Sequence, residues 1–298
     1  MSTRFTAQLR ANRTAYLLLL PSLCVFALLL IVPLLMTMAG AFSEADAVGR
    51  IGRPGTLQNF VNLGSDSRLV PILRQTAIFA LLSVAATIVI CFPLALVLNQ
   101  KFPGVTLARA LLLLPWAAPL AISAMSWRWI FHDQLGALNY VLQLAGITDA
   151  NIVWLSEPWL AFGCVIFVEV WSSIPFMTIT ILAGLQGIPP YIYDAARIDG
   201  ASPWQEFWSM TVPQMKTVLV IVGLLSVIWA FRSFTIIWTM TQGNPFFRTD
   251  ISVTYLYKLA FRMMSFGEGY ALAFVTFVML AAFSVLYLML ARDREPGA

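Results

Sequence analysis

Charge is what this chain has least of. Asp, Glu, Lys and Arg together make up 11% of its 298 residues and hydrophobic residues 60%, whereas a soluble domain carries roughly 25% charged residues. That balance excludes a water-soluble globular fold. Histidine is nearly missing as well. His132 is the only one, so a histidine-rich metal centre is excluded, no metal ligand is assigned, and no Ser-His-Asp or Cys-His arrangement can be assembled for nucleophilic catalysis. The three cysteines, Cys24, Cys91 and Cys164, are odd in number and each lies inside an apolar run. They suit small packed hydrophobes, not a disulfide framework. A net charge of +4 without any run of basic residues removes the electrostatic footprint that a nucleic-acid partner needs. The G-x-x-x-x-G-K-S/T loop that cradles nucleotide phosphates is also missing. No catalytic residue is assigned, and any ATP hydrolysis has to take place on another chain.

Long apolar runs stand in place of charge. Six are visible, at about 15–41, 75–98, 105–127, 159–185, 217–241 and 269–291, each long enough for the ~20 residues with which a helix crosses a bilayer. The expected fold is all-α, a polytopic membrane protein with six transmembrane helices forming one domain over residues 1–298. Arg4, Arg10 and Arg13 ahead of the first run, with Ala39-Gly40-Ala41 at its end, resemble a secretory signal and its cleavage site. The run is far longer than the ~7–15 residues of a signal core, so an uncleaved first span is expected, kinked at Pro21 and Pro33. Residues 42–74 and 128–158 are expected as loops, and no domain boundary, low-complexity tract or internal repeat is visible. Lysine and arginine split nine and nine between the two sides and do not orient the chain. The basic N-terminal flank and Arg292 and Arg294 near the other end favour both termini on the inner side.

Between the fourth and fifth runs lies a polar stretch with informative punctuation. Pro189-Pro190 stops the preceding helix. Tyr191 to Ile198 suit a short helix, and Gly200 can take the left-handed conformation that closes one. Ser202-Pro203-Trp204-Gln205 has the form of a capping box, with serine at N-cap, proline at N1 and glutamine at N3. A second short helix is expected from there, with Trp204, Phe207, Trp208 and Thr211 on one face and an end or bend at Pro213.

This stretch resembles the cytoplasmic coupling-helix loop of bacterial ABC importer permeases, which reads Glu-Ala-Ala, three residues, Gly, nine residues, Ile-x-Leu-Pro. Here Asp194-Ala195-Ala196 is followed after three residues by Gly200, and nine residues later come Met210-Thr211-Val212-Pro213. Asp199-Gly200-Ala201 and Phe207 match the carbohydrate-uptake branch. Leu114-Pro115-Trp116, Glu169-Val170-Trp171 with Pro175-Phe176, Phe231-Arg232-Ser233-Phe234 and Gly269-Tyr270-Ala271-Leu272-Ala273 extend the likeness along nearly the whole chain. Ser172 stands where the family often has lysine, and Gly243-Asn244-Pro245 where Gly-Gly-Pro is common. The chain is thus similar to maltose-type sugar ABC importer permeases. That resemblance implies a subunit of the bacterial cytoplasmic (inner) membrane, with both termini cytoplasmic, that moves a mono- or oligosaccharide. It further implies a second homologous permease, two ATPase subunits that bind ATP and Mg, and an extracytoplasmic solute-binding protein as partners, with no cofactor on this chain. In the family the loop 186–216 seats on the ATPase, and the residues carried over are Asp194, Ala195, Ala196, Arg197, Asp199, Gly200, Ala201, Trp204, Phe207 and Pro213. A permease for glycerol phosphate or another polyol-like solute, and an ATP-independent secondary transporter, are the alternatives.

For the solute path, Glu169 and Arg232 are ionisable residues inside apolar runs, each ~15 Å from the outer end at 1.5 Å per residue. Buried charges at that depth face a partner or water. They are expected to face the bundle interior, as an ion pair or as polar walls of the path. Trp171, Phe176, Trp229 and Tyr255 are candidates for stacking on sugar rings. Trp127, Trp129, Trp154 and Trp159 suit an interfacial aromatic belt.

Overall fold

The computed structural model describes residues 13–292. Arg4, Arg10 and Arg294 of the charge argument lie outside the described residues. Contacts divide the chain into two units, one of residues 1–66 with 259–275 and one of residues 67–258 with 276–298.

In the first unit, α1 (Arg13–Phe26), a π-helical turn (Ala27–Ile31) and α2 (Val32–Ala41) follow one another directly. Pro33 lies at the start of α2. The widened turn just before it relieves the clash and the missing N–H that a proline imposes on a continuous helix. Large apolar side chains from Leu18 to Met36 are exposed, as befits a helix with no wet face. Beyond it, β1 (Ser43–Ala45) pairs antiparallel with β2 (Ile51–Pro54), Ser43 opposite Pro54 and Ala45 opposite Ile51. The turn between them is closed by Asp46, whose Oδ1 accepts the N–H groups of Val48 and Arg50 at 3.0 and 2.7 Å. On α3 (Gln58–Ser65), buried Asn59 donates through Nδ2 to the carbonyls of Gly40, Ala41 and Ser43 at 3.2, 3.2 and 2.7 Å. Residues 42–74 are therefore not a plain loop. Strands of three and four residues are too short for alternation to reveal them.

In the second unit, α4 (Leu69–Leu98) is followed by α5 (Val105–Ala117), α6 (Leu120–Ile130), α7 (Ala137–Leu144) and α8 (Pro158–Gln186). Next come α9 (Pro190–Ile198), α10 (Pro203–Gln205), α11 (Val212–Gln214), α12 (Lys216–Phe231), α13 (Phe234–Met240) and α14 (Ser252–Tyr257). The last helix, α15 (Phe266–Arg292), begins among the residues of the first unit and ends among those of the second. Helix α4 packs along α8 and α12, α5 along α8, and α13 along α6. Their buried faces form two apolar layers, one around Phe79, Phe131, Val165, Val227 and Ile237, the other around Phe92, Met177, Ile181, Met215 and Val222. Cys164 and Cys91 are small core residues in these layers, while Cys24 is exposed.

Among the described residues four helices, Leu18–Ala41, Leu69–Leu98, Pro158–Gln186 and Phe266–Met289, are long and apolar enough to cross a bilayer. The count reaches six if each bent pair forms one span: α5 with α6, meeting at 93°, and Pro203–Gln214 with α12, meeting at 67°. The third run is thus not one straight helix. Ala118, held extended (φ −83°, ψ 139°) by the proline after it, breaks it. The fifth is broken too, since Arg232 and Ser233 interrupt the helix between α12 and α13.

The expected loop 128–158 contains α7, and Asn139 on it organises the segment. Its Nδ2 donates to the carbonyls of Asp133 and Ile152, and its Oδ1 accepts from Trp154 Nε1 at 2.9 Å. Trp154 and Trp127 pack inward against the first apolar layer, Trp127 lying 5.4 Å from Trp171. Only Trp129 and Trp159 of the four expected belt residues are exposed.

Candidate functional site

Two arrangements in the second unit bring together the residues singled out in the sequence. The first is the helical hairpin around Gly200. Gly200 has φ +79°, and the Ala201 N–H bonds back to Ala196 O while the Gly200 N–H bonds to Arg197 O. This is the Schellman closure that a left-handed residue after a helix allows. Ser202 then caps the next turn. Gln205 N donates to its Oγ, and Gln205 Oε1 accepts the Ser202 N–H at 2.8 Å. A π-helical turn (Glu206–Thr211) carries the chain into α11, which ends beside Pro213.

The hairpin is braced from within. Arg197 donates to both carboxylate oxygens of Glu206, Nε to Oε1 at 2.9 Å and Nη2 to Oε2 at 3.2 Å, and lies 4.0 Å from Asp194. The bond to Glu206 and its charge hold the Arg197 pKa above the ordinary guanidinium value. Tyr193 and Thr211 hydroxyls meet at 3.1 Å, and Ala196 is buried. The expected aromatic face is divided. Phe207 points inward, 5.5 Å from Phe92 of α4, whereas Trp204 is 70% exposed. Trp208, 5.7 Å from Trp204, is uncovered too, as are Tyr191 at the start of α9 and Ile198, at 86% exposure, at its end before the turn. Asp194, Ala195, Asp199 and Pro213 are exposed as well. Glu206, the partner that pins Arg197, was not singled out in the sequence. A carboxylate nine residues from an arginine has no spacing signature across a turn.

The second arrangement is a cavity of about 350 Å³ lined by Pro115 and Trp116 of α5, Leu120 and Ser123 of α6, Glu169 and Ser172 of α8, Trp229 of α12, and Arg232 and Ser233. Glu169 and Arg232 share it but form no ion pair. The Ser233 hydroxyl donates to Glu169 Oε2 at 2.5 Å, Glu169 is only 6% exposed, and Arg232 stands exposed without an ion pair or side-chain hydrogen bond among the described residues. The reason is the break after Phe231, where Arg232 (φ −99°, ψ 7°) and Ser233 (φ −72°, ψ 51°) leave helical geometry. The break sends one side chain into the open cavity and the other back to α8.

Of the aromatic candidates, Trp229 lines the cavity. Phe176 sits behind it, 5.2 Å from Trp229 and 5.7 Å from Trp116, and supports both rings. Trp171 is turned away toward Trp127, and Tyr255 is fully buried with its ring against Phe247. Neither belongs to the cavity wall: Tyr255 fills core volume, and Trp171 is half-buried against Trp127. Trp116, Ser172 and Ser233 complete the wall, and in the sequence only the family likeness points to them. The signal for Trp116 is Pro119, which holds Ala118 extended and ends α5 at the cavity.

A family model described as the binding-protein-dependent transport system inner membrane component matches residues 91–295. The chain is 37% identical over 95% of its length, and 99% of the relative's, to a probable ABC transporter permease protein of Brucella abortus. It is 33% identical to the trehalose/maltose transport system permease protein MalF of Thermococcus litoralis, covering 99% of this chain and 100% of that one. Among solved structures it superposes on a chain of a bacterial ABC transporter involved in the import of the acidic polysaccharide alginate, with a TM-score of 0.84 at 19% identity over 98% and 100% of the two chains. The chain belongs to the binding-protein-dependent transport system inner membrane component family, as a multi-pass membrane subunit of ABC transport.

Proposed function

We propose that this member of the family is the permease subunit of an ATP-driven importer of a mono- or oligosaccharide, lying in the bacterial inner membrane with both termini and the Gly200 hairpin on the cytoplasmic side. The observation that carries the reading is the set of uncovered apolar side chains on that hairpin. Tyr191, Ile198, Trp204 and Trp208 are exposed on a helical hairpin whose arms are joined by the Arg197–Glu206 bonds and whose turn is closed by the Ser202 cap. Exposed apolar side chains on a braced element suit docking in a groove of another chain. In this reading two ATPase subunits, which bind ATP and Mg, receive this hairpin and its counterpart on a second homologous permease. Their closure moves the two hairpins, and a solute-binding protein delivers cargo on the outer side. The cavity supplies the path. Indole faces of Trp116 and Trp229 suit the C–H faces of a sugar ring, while Glu169, Ser172 and Arg232 suit its hydroxyls. The relative from Thermococcus litoralis, whose name gives trehalose and maltose, supports a saccharide as the solute class.

The test is affinity purification of the tagged protein from native membranes in mild detergent, beside a Gly200→Pro variant, with uptake of a panel of labelled saccharides and glycerol phosphate in matching cells. Proline fixes φ near −65° and is incompatible with +79°. An ATPase and a second permease should co-purify with the wild type, the ATPase should be lost from the variant, and a saccharide should be the solute whose uptake the variant abolishes. A wild-type protein recovered alone, with uptake sensitive to a proton uncoupler at constant ATP, would overturn the reading in favour of a secondary transporter.

A further inference from the structure

We propose that a second cavity, at the inner ends of α4, α5 and α8, holds the phosphate head group of an anionic phospholipid from the inner leaflet. The inference rests on the orientation proposed above, which puts residues 99–104 on the cytoplasmic side. The cavity has a volume of about 600 Å³, and Asn99, Gln100, Lys101, Phe102, Arg109 and Gln186 line it. Two cations and three side-chain amides face it, and no carboxylate does.

Arg109 is the anchor. Its Nη2 donates to the Leu98 carbonyl at 2.7 Å, one of the unpaired acceptors at the C-terminal end of α4, so the guanidinium is pinned at the cavity wall. An oxygen of a phosphate is the acceptor that a guanidinium fork fits best. Lys101 is exposed on the rim and offers a second, mobile charge.

The surroundings favour a lipid as the source of that phosphate. Phe102 beside the cavity, and Leu107 and Leu111 on α5, expose apolar side chains, a surface on which acyl chains can lie once the head group is held. Basic pockets between transmembrane helices on the cytoplasmic side are where anionic head groups are drawn in. A dissolved phosphate would need the cations alone.

The experiment is native mass spectrometry of the purified transporter, titrated with phosphatidylglycerol, with phosphatidylcholine and with inorganic phosphate. The wild type should bind phosphatidylglycerol in preference to phosphatidylcholine. Lys101→Gln should lower that preference about fivefold, the factor to which ~1 kcal/mol per basic residue corresponds. The double variant Lys101→Gln/Arg109→Gln should abolish it, and Arg74→Gln near the other end of α4 should leave it unchanged. If loss of the Leu98 bond prevents the double variant from folding, Lys101→Gln alone decides, since that side chain is exposed. Equal binding of the two lipids, or an unaltered preference in Lys101→Gln, overturns the proposal. So does displacement of phosphatidylglycerol by inorganic phosphate, which makes the occupant a free anion, or its expulsion whenever the ATPase subunit is bound, which makes the cavity a protein contact. The same spectra count the ATPase and second-permease subunits. Lipid selectivity without those partners, or partners without selectivity, separates failure of the importer reading from failure of this one.

Discussion

Ser233 and Glu169, 64 residues apart in sequence, are joined by a hydrogen bond of 2.5 Å in which the hydroxyl donates to the carboxylate. Arg232, next to Ser233, takes no part. A buried carboxylate that loses its one side-chain donor among the described residues bears the desolvation cost unrelieved. Ser233→Ala should therefore lower stability by ~1–3 kcal/mol, read as a fall in Tm in detergent. Glu169→Gln, which still presents an acceptor oxygen, should cost less than Ser233→Ala. Arg232→Gln should leave Tm nearly unchanged and reduce saccharide uptake. A Ser233→Ala protein as stable as the wild type would mean that something other than this bond holds Glu169.

The two aromatic residues of the hairpin should separate stability from assembly. Phe207 packs on Phe92 in the apolar layer, and Phe207→Ala should destabilise by ~2–4 kcal/mol. Trp204 is largely exposed, and Trp204→Ala should change stability by no more than ~0.5 kcal/mol yet reduce ATPase co-purification. Thermal melts and pull-downs on the same two preparations check both halves. Normal ATPase recovery with Trp204→Ala would remove that residue from the docking surface.

Two glycines with similar backbone angles should respond differently to alanine. A Cβ at Gly200 (φ +79°) meets nothing within 4 Å, so Gly200→Ala should cost only the ~1–2 kcal/mol of a left-handed L-residue. A Cβ at Gly243 (φ +83°) would collide with the Asp250 carboxylate. Gly243→Ala should be the more destabilising by a clear margin in parallel melts. A smaller loss at Gly243 than at Gly200 would show that Asp250 moves aside freely.

Asp250 is fully buried, paired with Lys258 Nζ at 2.5 Å and accepting from Thr254 Oγ1 at 2.8 Å. Burial raises its pKa, and Lys258, Thr254 and Arg68 pull it only part of the way back. The folded state therefore takes up this proton at higher pH than the unfolded chain, and between the two pKa values stability falls as pH rises. Lys258→Met removes the main opposing charge and should cost ~3–5 kcal/mol near neutral pH, with the loss shrinking as the pH is lowered and Asp250 is neutralised. Asp250→Asn should cost less and show no such recovery in acid. Melting temperatures across a pH series distinguish them.

Much of the hairpin is legible in the residues themselves, because its punctuation acts locally. Gly200, Ser202, Gln205 and the prolines work through backbone conformation and capping within four residues, and all take the expected places. The cavity was legible only in part. Glu169 and Arg232 stand out as charges in apolar runs, but their pairing does not follow from that, because the break at Arg232–Ser233 reverses which of two adjacent side chains meets α8. Trp171 and Tyr255 lie outside this cavity's wall for a related reason: an aromatic residue in a membrane helix has the same composition signal whether it faces a cavity or packs against its neighbours.

The sequence by itself determined that this chain is a helical membrane protein of the transport family and where its hairpin turns, since apolar run length and turn chemistry are local quantities. Only the tertiary structure decided that Ser233 and not Arg232 holds Glu169 across the break in the fifth run, and that Phe207 packs inward while Trp204 is surface. Each of these depends on which helix happens to lie alongside. That is a matter of side-chain volume and hydrogen-bond reach between segments far apart in the chain.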